Sequence, residues 1–157
     1  MTTDFQKIFD LVENIDISNY SKNRNFIDGS VTKLSPYISR GVISTKFILE
    51  SLKKRNINLK KVEKFIQELA WRDYWQQIWV SKGKLINSDL KNSQFPVSNG
   101  SIPKAIIDAN TGISAIDKSI IGLYETGYMH NHSRMYVASI VCNVAQSHWI
   151  NPARWMY

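Results

Sequence analysis

The stretch from Leu59 to Ser81 constrains the fold most, because its spacing predicts the longest helix of the chain, ended by Gly83. Shorter helices are predicted on both sides of it from helical spacing and from residues that favour helix ends. They cover residues 4–14, 36–41, 44–55, 114–126 and 131–148. No β-alternation, internal repeat or linker appears in the sequence. The sequence therefore predicts one all-α domain that spans residues 1–157.

Polar residues mark several of these helix starts and the loops between them. Asp4 and Ser44 are predicted N-caps, and Ser35 followed by Pro36 forms a pair of N-cap and first helical residue. Two polar stretches show no helical or strand period and are predicted loops: 19–33 and 84–102.

The composition is that of an ordinary globular protein with a basic surface. Hydrophobic residues make up 43% and charged residues 21%, which excludes a disordered chain. The formal net charge is +7, and a basic surface favours polyanions, of which nucleic acid is the commonest. Nucleotide bias also enriches lysine, so the charge supports a nucleic-acid partner without establishing one.

The remaining compositional features exclude a disulfide and a membrane span. The chain has one cysteine, Cys142, in an apolar helical run, which predicts a buried small hydrophobic residue and excludes an internal disulfide or a cysteine-based zinc site. No run approaches the roughly 18 apolar residues of a membrane span, and the N-terminus carries no apolar targeting segment. A cytoplasmic protein without a membrane partner is expected.

The stretch 125–135, ETGYMHNHSRM, has the composition of a binding site. Gly127 suits the end of one helix, and a helix that starts near Asn131 presents Asn131, Arg134 and Met135 on one side. A polar corner between two helices is the alternative, and it stays open. His130 and His132 have no carboxylate at ligand spacing nearby, so no metal site is predicted. These two histidines are therefore not assigned a metal.

The long helix presents a second group of polar and aromatic side chains. At 100° per residue, Phe65, Glu68 and Arg72 lie within about 60° of one another, with Trp71 and Trp75 on a flank. A simple ion pair between Glu68 and Arg72 is the favoured interpretation of that pair alone. The alternative is an aromatic-lined cavity that binds a flat ligand. Core positions on this helix are predicted at Ile66, Leu69 and Ile78.

The start of the helix at Pro36 is a candidate anion site. Free backbone N–H groups at a helix start suit a phosphate, and Thr32, Lys33 and Ser35 lie beside it. A helix start without a ligand is the alternative. No nucleophile–base arrangement and no glycine-rich nucleotide motif is visible. The residues alone therefore indicate a basic helical domain with one polar, aromatic site.

Three segments resemble, in order and spacing, motifs of the DNA photolyase/cryptochrome family in its helical FAD-binding domain. They are YSKNRNFIDGSVTKLSPYISRGVIS (20–44), FIQELAWRDY (65–74) and NTGISAIDKSIIGLYETGYMHNHSRM (110–135), with a later helix that ends in SHW at Trp149. The resemblance covers nearly the whole chain. It implies FAD as cofactor, damaged or single-stranded DNA as partner, and light-dependent repair of pyrimidine dimers.

The resemblance also implies roles for individual residues. Expected contacts to the ribityl-diphosphate part of FAD come from Tyr20, Thr32, Leu34 and Ser35. Expected residues of the flavin–adenine cavity are Phe65, Glu68, Arg72, Asn131 and Arg134. In the implied repair reaction, Glu68 and Asn131 hydrogen-bond the lesion as the catalytic pair, Trp71 stacks on it and Met135 packs beside it. Arg72 and His132 complete the expected nucleic-acid contacts, His132 standing where an arginine is common.

The chain departs from the family pattern in ways that leave two alternatives open. Neither the α/β antenna domain nor the C-terminal helices of the flavin bowl are represented, so no antenna pigment is expected. Of the three electron-transfer tryptophans only Trp149 has a counterpart, because Ile106 occupies the outermost position. One alternative is a nucleic-acid-binding module without photorepair that has lost tight flavin binding. The other is half of a split or oligomeric photolyase, with a homo-oligomer formed through the truncated face.

Overall fold

The computed structural model describes residues 2–157, which form α-helices, short 3-10 turns and one π-helical turn without any β-strand. The predicted all-α class is confirmed. The α-helices are, in chain order, α1 (Phe5–Glu13), α2 (Tyr20–Asn23), α3 (Ser35–Ser39), α4 (Thr45–Lys54), α5 (Glu63–Lys82), α6 (Lys104–Ile107), α7 (Ser114–Thr126), α8 (Asn131–Ser139) and α9 (Ile150–Trp155). The 3-10 turns are Leu59–Val62 and Gly83–Asn87, and the π-helical turn is Ile140–Val144.

The chain divides into two compact units, one that ends at Ser81 and one that begins at Lys82. The first contains α1 to α4 and nearly all of α5. The second contains α6 to α9. Each unit has its own hydrophobic cluster.

The core of the first unit forms because apolar residues recur on one side of its helices. On α1, Ile8 and Val12 are four apart, and on α4 the same spacing separates Ile48 from Leu52. Val12, Ile48 and Leu52 have no exposed surface. Burial of one such side chain contributes about 1.5–3 kcal/mol. The cluster also contains Ile15, Ile17, Leu34, Tyr37, Ile38, Ile43, Val62, Phe65 and Leu69.

Two of the three predicted N-caps in this unit are confirmed. An Asp4 carboxylate oxygen accepts from the backbone N–H of Gln6 at 2.9 Å, and the Ser44 hydroxyl accepts from that of Phe47 at 3.0 Å. The predicted cap at Ser35 is wrong, because Ser35 is already inside α3 and Leu34 precedes it with helical angles. Leu34 is 1% exposed, so core packing of its side chain fixes the backbone there.

The second unit is built around α7 and α8. Its core consists of Ile106, Ile116, Ile120, Met129, Val137 and Val141. The Asp117 carboxylate accepts from the backbone N–H and the hydroxyl of Thr111, at 2.8 and 2.6 Å, and so fastens the start of α7. Gly127 has a φ of 69°, a left-handed conformation that ends α7 as predicted.

The helix predicted from Asn131 to about His148 is an α-helix only as far as Ser139 and ends at Val144. The chain widens into the π-helical turn and leaves the helix near Gln146, whose φ is 51°. Backbone hydrogen bonds to a distant loop hold this exit: Ser98 donates to Gln146 at 2.8 Å, and His148 donates to Asn99 at 2.8 Å. Helical spacing carries no information about these long-range partners.

Other differences from the predicted elements are smaller. The short helix α2 lies inside the predicted loop 19–33, a 3-10 turn opens the predicted loop 84–102, and α6 and α9 were not predicted. Cys142 is half-buried rather than buried, and this partial burial raises the pKa of its thiol. Within residues 2–157, every helix is too short or too polar to cross a lipid bilayer.

Candidate functional site

Helix α5 buries little of its surface. Only Phe65 and Leu69 are buried on it, which confirms the core prediction for Leu69. Ile66 packs half-buried against the same core, and Ile78 is half-buried, so neither is a fully buried core residue. The apolar side of α5 that faces the core is narrow, because the tryptophans that follow Leu69 lie on another side of the helix. Much of α5 therefore faces outward.

The outward side of α5 carries a continuous row of side chains, which we call the α5 stripe. At 100° per residue its members fall within about 80° of one another. They are Lys64, Glu68, Trp71, Trp75 and Trp79. The three tryptophans are 52%, 56% and 61% exposed. The ring of Tyr74 packs edge-on against Trp71 and Trp75, with centroids 5.5 and 5.3 Å away, so the exposed rings form a connected surface.

Glu68, the first predicted catalytic residue, is held by two cations. Its carboxylate lies 3.2 Å from the Lys64 ammonium and 3.5 Å from the Arg24 guanidinium. The predicted pairing of Glu68 with Arg72 is wrong. Glu68 turns back along the helix toward Lys64, where Arg24 adds a second positive charge. Within residues 2–157, Arg72 has neither an ion-pair nor a hydrogen-bond partner for its side chain.

Helix α2 brings two residues against α5. The ring of Tyr20 packs edge-on against Phe65, with centroids 5.1 Å apart, and Arg24 reaches Glu68 just after the end of α2. The structure thus brings the predicted residues Tyr20, Phe65 and Glu68 together within the first unit. Arg24 was missed by the sequence analysis, although its spacing of four from Tyr20 was a usable signal.

The predicted phosphate loop, residues 32–34, is irregular backbone that leads into α3. Lys33 has a φ of 55°, and the backbone N–H of Leu34 donates to the Thr32 hydroxyl at 3.4 Å. The Leu34 side chain is buried, and its carbonyl accepts from the backbone N–H groups of Tyr37 and Ile38, both at 3.1 Å. The Ser35 hydroxyl has no hydrogen-bond partner within residues 2–157. A groove of about 670 Å³ borders Thr32, but its remaining walls come mainly from α1 and its flanks rather than from α5.

In the second unit, the start of α8 displays two of the predicted residues. Asn131 is exposed on its first turn, and Met135, four residues later, is 60% exposed. His132 packs its ring edge-on against Tyr136 at 5.1 Å. The spacing therefore places Asn131 and Met135 on one outward side of α8, as predicted from the sequence.

His130 and Arg134 hold the start of α8 in place. His130 is buried, and its Nδ1 accepts from the backbone N–H of His132 at 3.1 Å. Its Nε2 is buried without a hydrogen-bond partner among residues 2–157. Arg134 donates from Nε to the carbonyl of Met129 at 3.2 Å and from Nη1 to that of Met156 at 2.6 Å. Burial raises the pKa of Tyr128, and the charge of Arg134 opposes that shift.

Trp149, the predicted electron-transfer residue, belongs to a separate hydrogen-bonded group. Its indole N–H donates to the Asp89 carboxylate, and its backbone N–H donates to the Gln94 side chain at 2.9 Å. The His148 ring nitrogen Nε2 lies 3.7 Å from the same carboxylate. Asp89 and Gln94 were not identified from the sequence, because no local spacing connects them to Trp149.

A family model and several known proteins match this chain. The FAD binding domain of DNA photolyase matches residues 65–157. A Cryptochrome DASH of Synechocystis sp. is 29% identical over 147 residues, which cover 88% of this chain and 30% of the relative. A deoxyribodipyrimidine photo-lyase of Halobacterium salinarum is 27% identical over 139 residues, with coverages of 82% and 29%. The chain therefore spans roughly 30% of the length of these relatives.

Solved structures show the same fold. A cryptochrome of Synechocystis sp. PCC6803 superposes with a TM-score of 0.84 at 23% identity, over 99% of this chain and 35% of that one. A class III photolyase from Agrobacterium tumefaciens superposes with a TM-score of 0.76 at 23% identity, over 96% and 32%. The family match begins at Phe65 and covers more than half of the chain. The chain belongs to the family of the FAD binding domain of DNA photolyase.

Proposed function

We propose that this protein binds FAD and DNA and acts in the light-dependent repair of pyrimidine dimers. The observation that carries the proposal is the family match over residues 65–157, because that range contains Glu68, Trp71, Asn131 and Met135. The matching relative from Halobacterium salinarum is named a deoxyribodipyrimidine photo-lyase. Membership of the photolyase FAD binding domain family supports the assignment of this chain as a photolyase-like flavoprotein.

The polar groups left without partners fit a large, polar, anionic cofactor. They are the Arg72 guanidinium and the Ser35 hydroxyl of the first unit, neither of which has a hydrogen-bond partner within residues 2–157. Both groups donate hydrogen bonds, so a ligand that supplies anionic acceptors is favoured there. When bound, reduced FAD supplies the light-driven electron for dimer cleavage.

Residues of the first unit suit the cofactor in different ways. We assign Arg72 to a negative part of FAD, since its charge is not compensated within the described chain. Tyr20, Thr32 and Ser35 offer aromatic surface and hydroxyl groups, while Leu34 is buried and supports the loop from below, with its backbone hydrogen-bonded to Thr32, Tyr37 and Ile38. In the second unit, Asn131 and Arg134 are the residues assigned to FAD. These assignments follow the family motifs.

The exposed residues suit a flipped-out lesion. A base pair inside a duplex cannot reach a cofactor held within a protein, so a dimer must leave the stack. Trp71 presents half of its surface for stacking, and Met135 presents an apolar thioether. The Glu68 carboxylate accepts hydrogen bonds, and Arg24 and Lys64 fix its orientation. The Asn131 amide both donates and accepts, which suits the mixed edge of a pyrimidine.

A second candidate function is nucleic-acid binding without photorepair. The exposed aromatic rings of the α5 stripe favour it, because bases stack on such rings whether or not a flavin is present. The net charge of +7 adds a general attraction to polyanions. This function needs no cofactor, which makes the two candidates separable.

The first experiment measures the visible absorption of the purified protein, before and after addition of FAD and gel filtration. Flavin bands that co-elute with the protein support FAD binding. A colourless protein that binds DNA with the same affinity with and without FAD supports the second function and rejects the first.

The second experiment tests repair directly. The FAD-loaded protein is reduced and incubated with a dimer-containing oligonucleotide, with and without blue light. Dimers are expected to disappear in light only, and Glu68→Gln is expected to slow that loss at least about tenfold, since it removes the charged partner of a lesion hydrogen bond. The matched control is Glu50→Gln, which breaks an equivalent exposed pair with Lys46 on α4. Equal loss of dimers in darkness rejects photorepair.

A further inference from the structure

We infer that four lysines at the corner between α4 and α5 bind the phosphate backbone of DNA beside the lesion-contacting residues. We call this group the lysine corner, and it consists of Lys53, Lys54, Lys60 and Lys61. The inference rests on the proposed function, namely that DNA is the partner and that its lesion lies at Glu68 and Trp71. It adds a binding surface that the family motifs do not contain.

The positive charge of the chain is concentrated at this corner. Residues 53–64, KKRNINLKKVEK, contain six Lys or Arg and one Glu, a formal charge of +5. The whole chain carries +7, so the other residues together contribute only +2. A charge spread by nucleotide bias would be scattered over the surface. The concentration therefore points to a local function.

The turn between the helices keeps the two lysine pairs close. The backbone N–H of Ile57 donates to the carbonyl of Leu52 at 3.2 Å, and Asn56 takes a left-handed φ of 53°. The side chain of Asn58 then accepts from the backbone N–H of Lys60 at 3.0 Å and starts the 3-10 turn. Lys60 lies six positions after Lys54, and even a fully extended chain of that length would span at most about 21 Å. Because the chain reverses its direction at this turn, the two lysine pairs lie closer together than that length.

The lysines of the corner are exposed and electrostatically uncompensated. None of the four has an ion-pair partner within residues 2–157. The other two cations of the segment are already engaged, since Arg55 donates to the carbonyl of Ile15 at 3.2 Å and Lys64 pairs with Glu68. The structure thus separates cations that hold the fold from cations that are available to a ligand.

The position of the corner favours DNA among the polyanions. Lys61 lies in the 3-10 turn that leads into α5 and precedes Glu68 by seven positions, so at roughly 1.5–2 Å per residue it lies about 10–14 Å from it along the chain direction. Duplex DNA carries one negative charge per about 1.7 Å of its axis, so a lesion held at Glu68 and Trp71 has several phosphates within reach of the corner. The corner carries no aromatic side chain, so its contacts are to phosphate and carry no sequence preference.

An anionic membrane is a poorer fit to the same surface. Membrane-surface segments combine lysines with apolar side chains that insert into the lipid. At this corner the apolar residues Ile57, Leu59 and Val62 pack against the protein core instead. Nothing apolar is left at the corner to enter a bilayer.

The test compares two variants of equal charge. The corner variant carries Lys53→Gln, Lys54→Gln, Lys60→Gln and Lys61→Gln, and the control carries the same change at Lys7, Lys46, Lys104 and Lys118, which are also exposed. Affinity for a short duplex with one thymine dimer is measured at several salt concentrations. For the corner variant, the slope of log affinity against log salt is expected to fall by up to about 3.6, at roughly 0.9 per lost phosphate contact. The control should change the slope little.

Two further measurements separate this inference from the proposed function. FAD uptake, and repair of a thymine dimer in a bare dinucleotide without flanking phosphates, should be unchanged in the corner variant. Equal slopes for the two variants overturn the inference while leaving the proposed function standing. Failure of the unaltered protein to bind the duplex overturns both. Corner-dependent binding to phosphatidylserine vesicles, with DNA binding unaffected, overturns the inference in favour of a membrane.

Discussion

The indole N–H of Trp149 donates a hydrogen bond to the carboxylate of Asp89, which lies 60 residues earlier in the chain. The same carboxylate accepts from the backbone N–H of Gln94 at 2.8 Å. Asp89 therefore ties the loop after the 3-10 turn Gly83–Asn87 to the segment between the π-helical turn and α9. Both hydrogen bonds lower the pKa of Asp89, and the one from Gln94 has the larger effect.

The Asp89 carboxylate should make stability depend on pH. Because the pKa of Asp89 is lower in the folded state than in the unfolded state, the charged carboxylate stabilises the fold at pH values above its unfolded-state pKa. This stabilisation is lost as the pH falls through the folded-state pKa. The unaltered protein should therefore exceed Asp89→Asn in urea midpoint at neutral pH, and the difference should shrink in acid. The control is Asp28→Asn, since the Asp28 side chain has no hydrogen-bond or ion-pair partner within residues 2–157. A difference that stays constant with pH contradicts this account.

Arg24 should act on function more than on stability. Its ion pair with Glu68 is partly exposed, with side-chain exposures of 25% and 34%, so Arg24→Gln should cost less than about 1 kcal/mol of unfolding free energy. Loss of the second cation frees the Glu68 carboxylate to rotate, so dimer repair should fall several-fold. The control is Arg40→Gln, because Arg40 is an exposed arginine whose side chain donates to the carbonyl of Pro36 at 3.3 Å and has no ion-pair partner within residues 2–157. Unchanged repair by Arg24→Gln would remove Arg24 from the site.

Gly29 should tolerate no side chain. A Cβ added there would lie 1.9 Å from the carbonyl oxygen of Asn23, and the backbone on both sides would have to move. Gly29→Ala should therefore destabilise the protein by about 1–3 kcal/mol, the usual range for overpacking. It should also weaken FAD uptake, since the turn leads directly into Thr32. Gly100→Ala is the control, because a Cβ at Gly100 meets nothing within 4 Å. Equal urea midpoints for the two variants would contradict the close contact.

Ser44 should contribute as the N-cap of α4. Ser44→Ala removes the acceptor for the backbone N–H of Phe47, and a lost cap of this kind costs about 1 kcal/mol. Ser114→Ala is the matched control, because Ser114 starts α7 without a side-chain cap hydrogen bond. Urea unfolding followed by far-ultraviolet circular dichroism measures both. If Ser114→Ala lowers the free energy of unfolding as much as Ser44→Ala does, the lost hydrogen bond to Phe47 is not the cause of the destabilisation.

Features that depend on neighbouring residues were predictable from the sequence. Asp4, Ser44 and Gly127 mark helix ends through contacts that span only a few positions, and the structure confirms each of them. The apolar spacing of the chain likewise sufficed for the all-α class. Local chemistry therefore located most of the helices, although not all of their ends.

Features that depend on distant residues were not predictable. The exit of the chain near Gln146 is held by the loop at Ser98, and Glu68 is oriented by Arg24 from another helix. In both cases the deciding partner lies more than forty residues away, beyond any periodic signal. Residue types and helical spacing drew attention to α5 and to residues 125–135 separately, but no local pattern connects the two stretches.

The exposure of the α5 stripe determines which spectroscopic probes are informative. Three of the five tryptophans are more than half exposed in the folded protein, so much of its intrinsic emission already comes from indoles in water. Unfolding should therefore shift the emission maximum only slightly, and fluorescence is a poor gauge of stability for this chain. The same indoles are well placed to be quenched by any ring that stacks on them. Tryptophan emission should thus report the arrival of a base or a flavin at α5 while the fold stays intact.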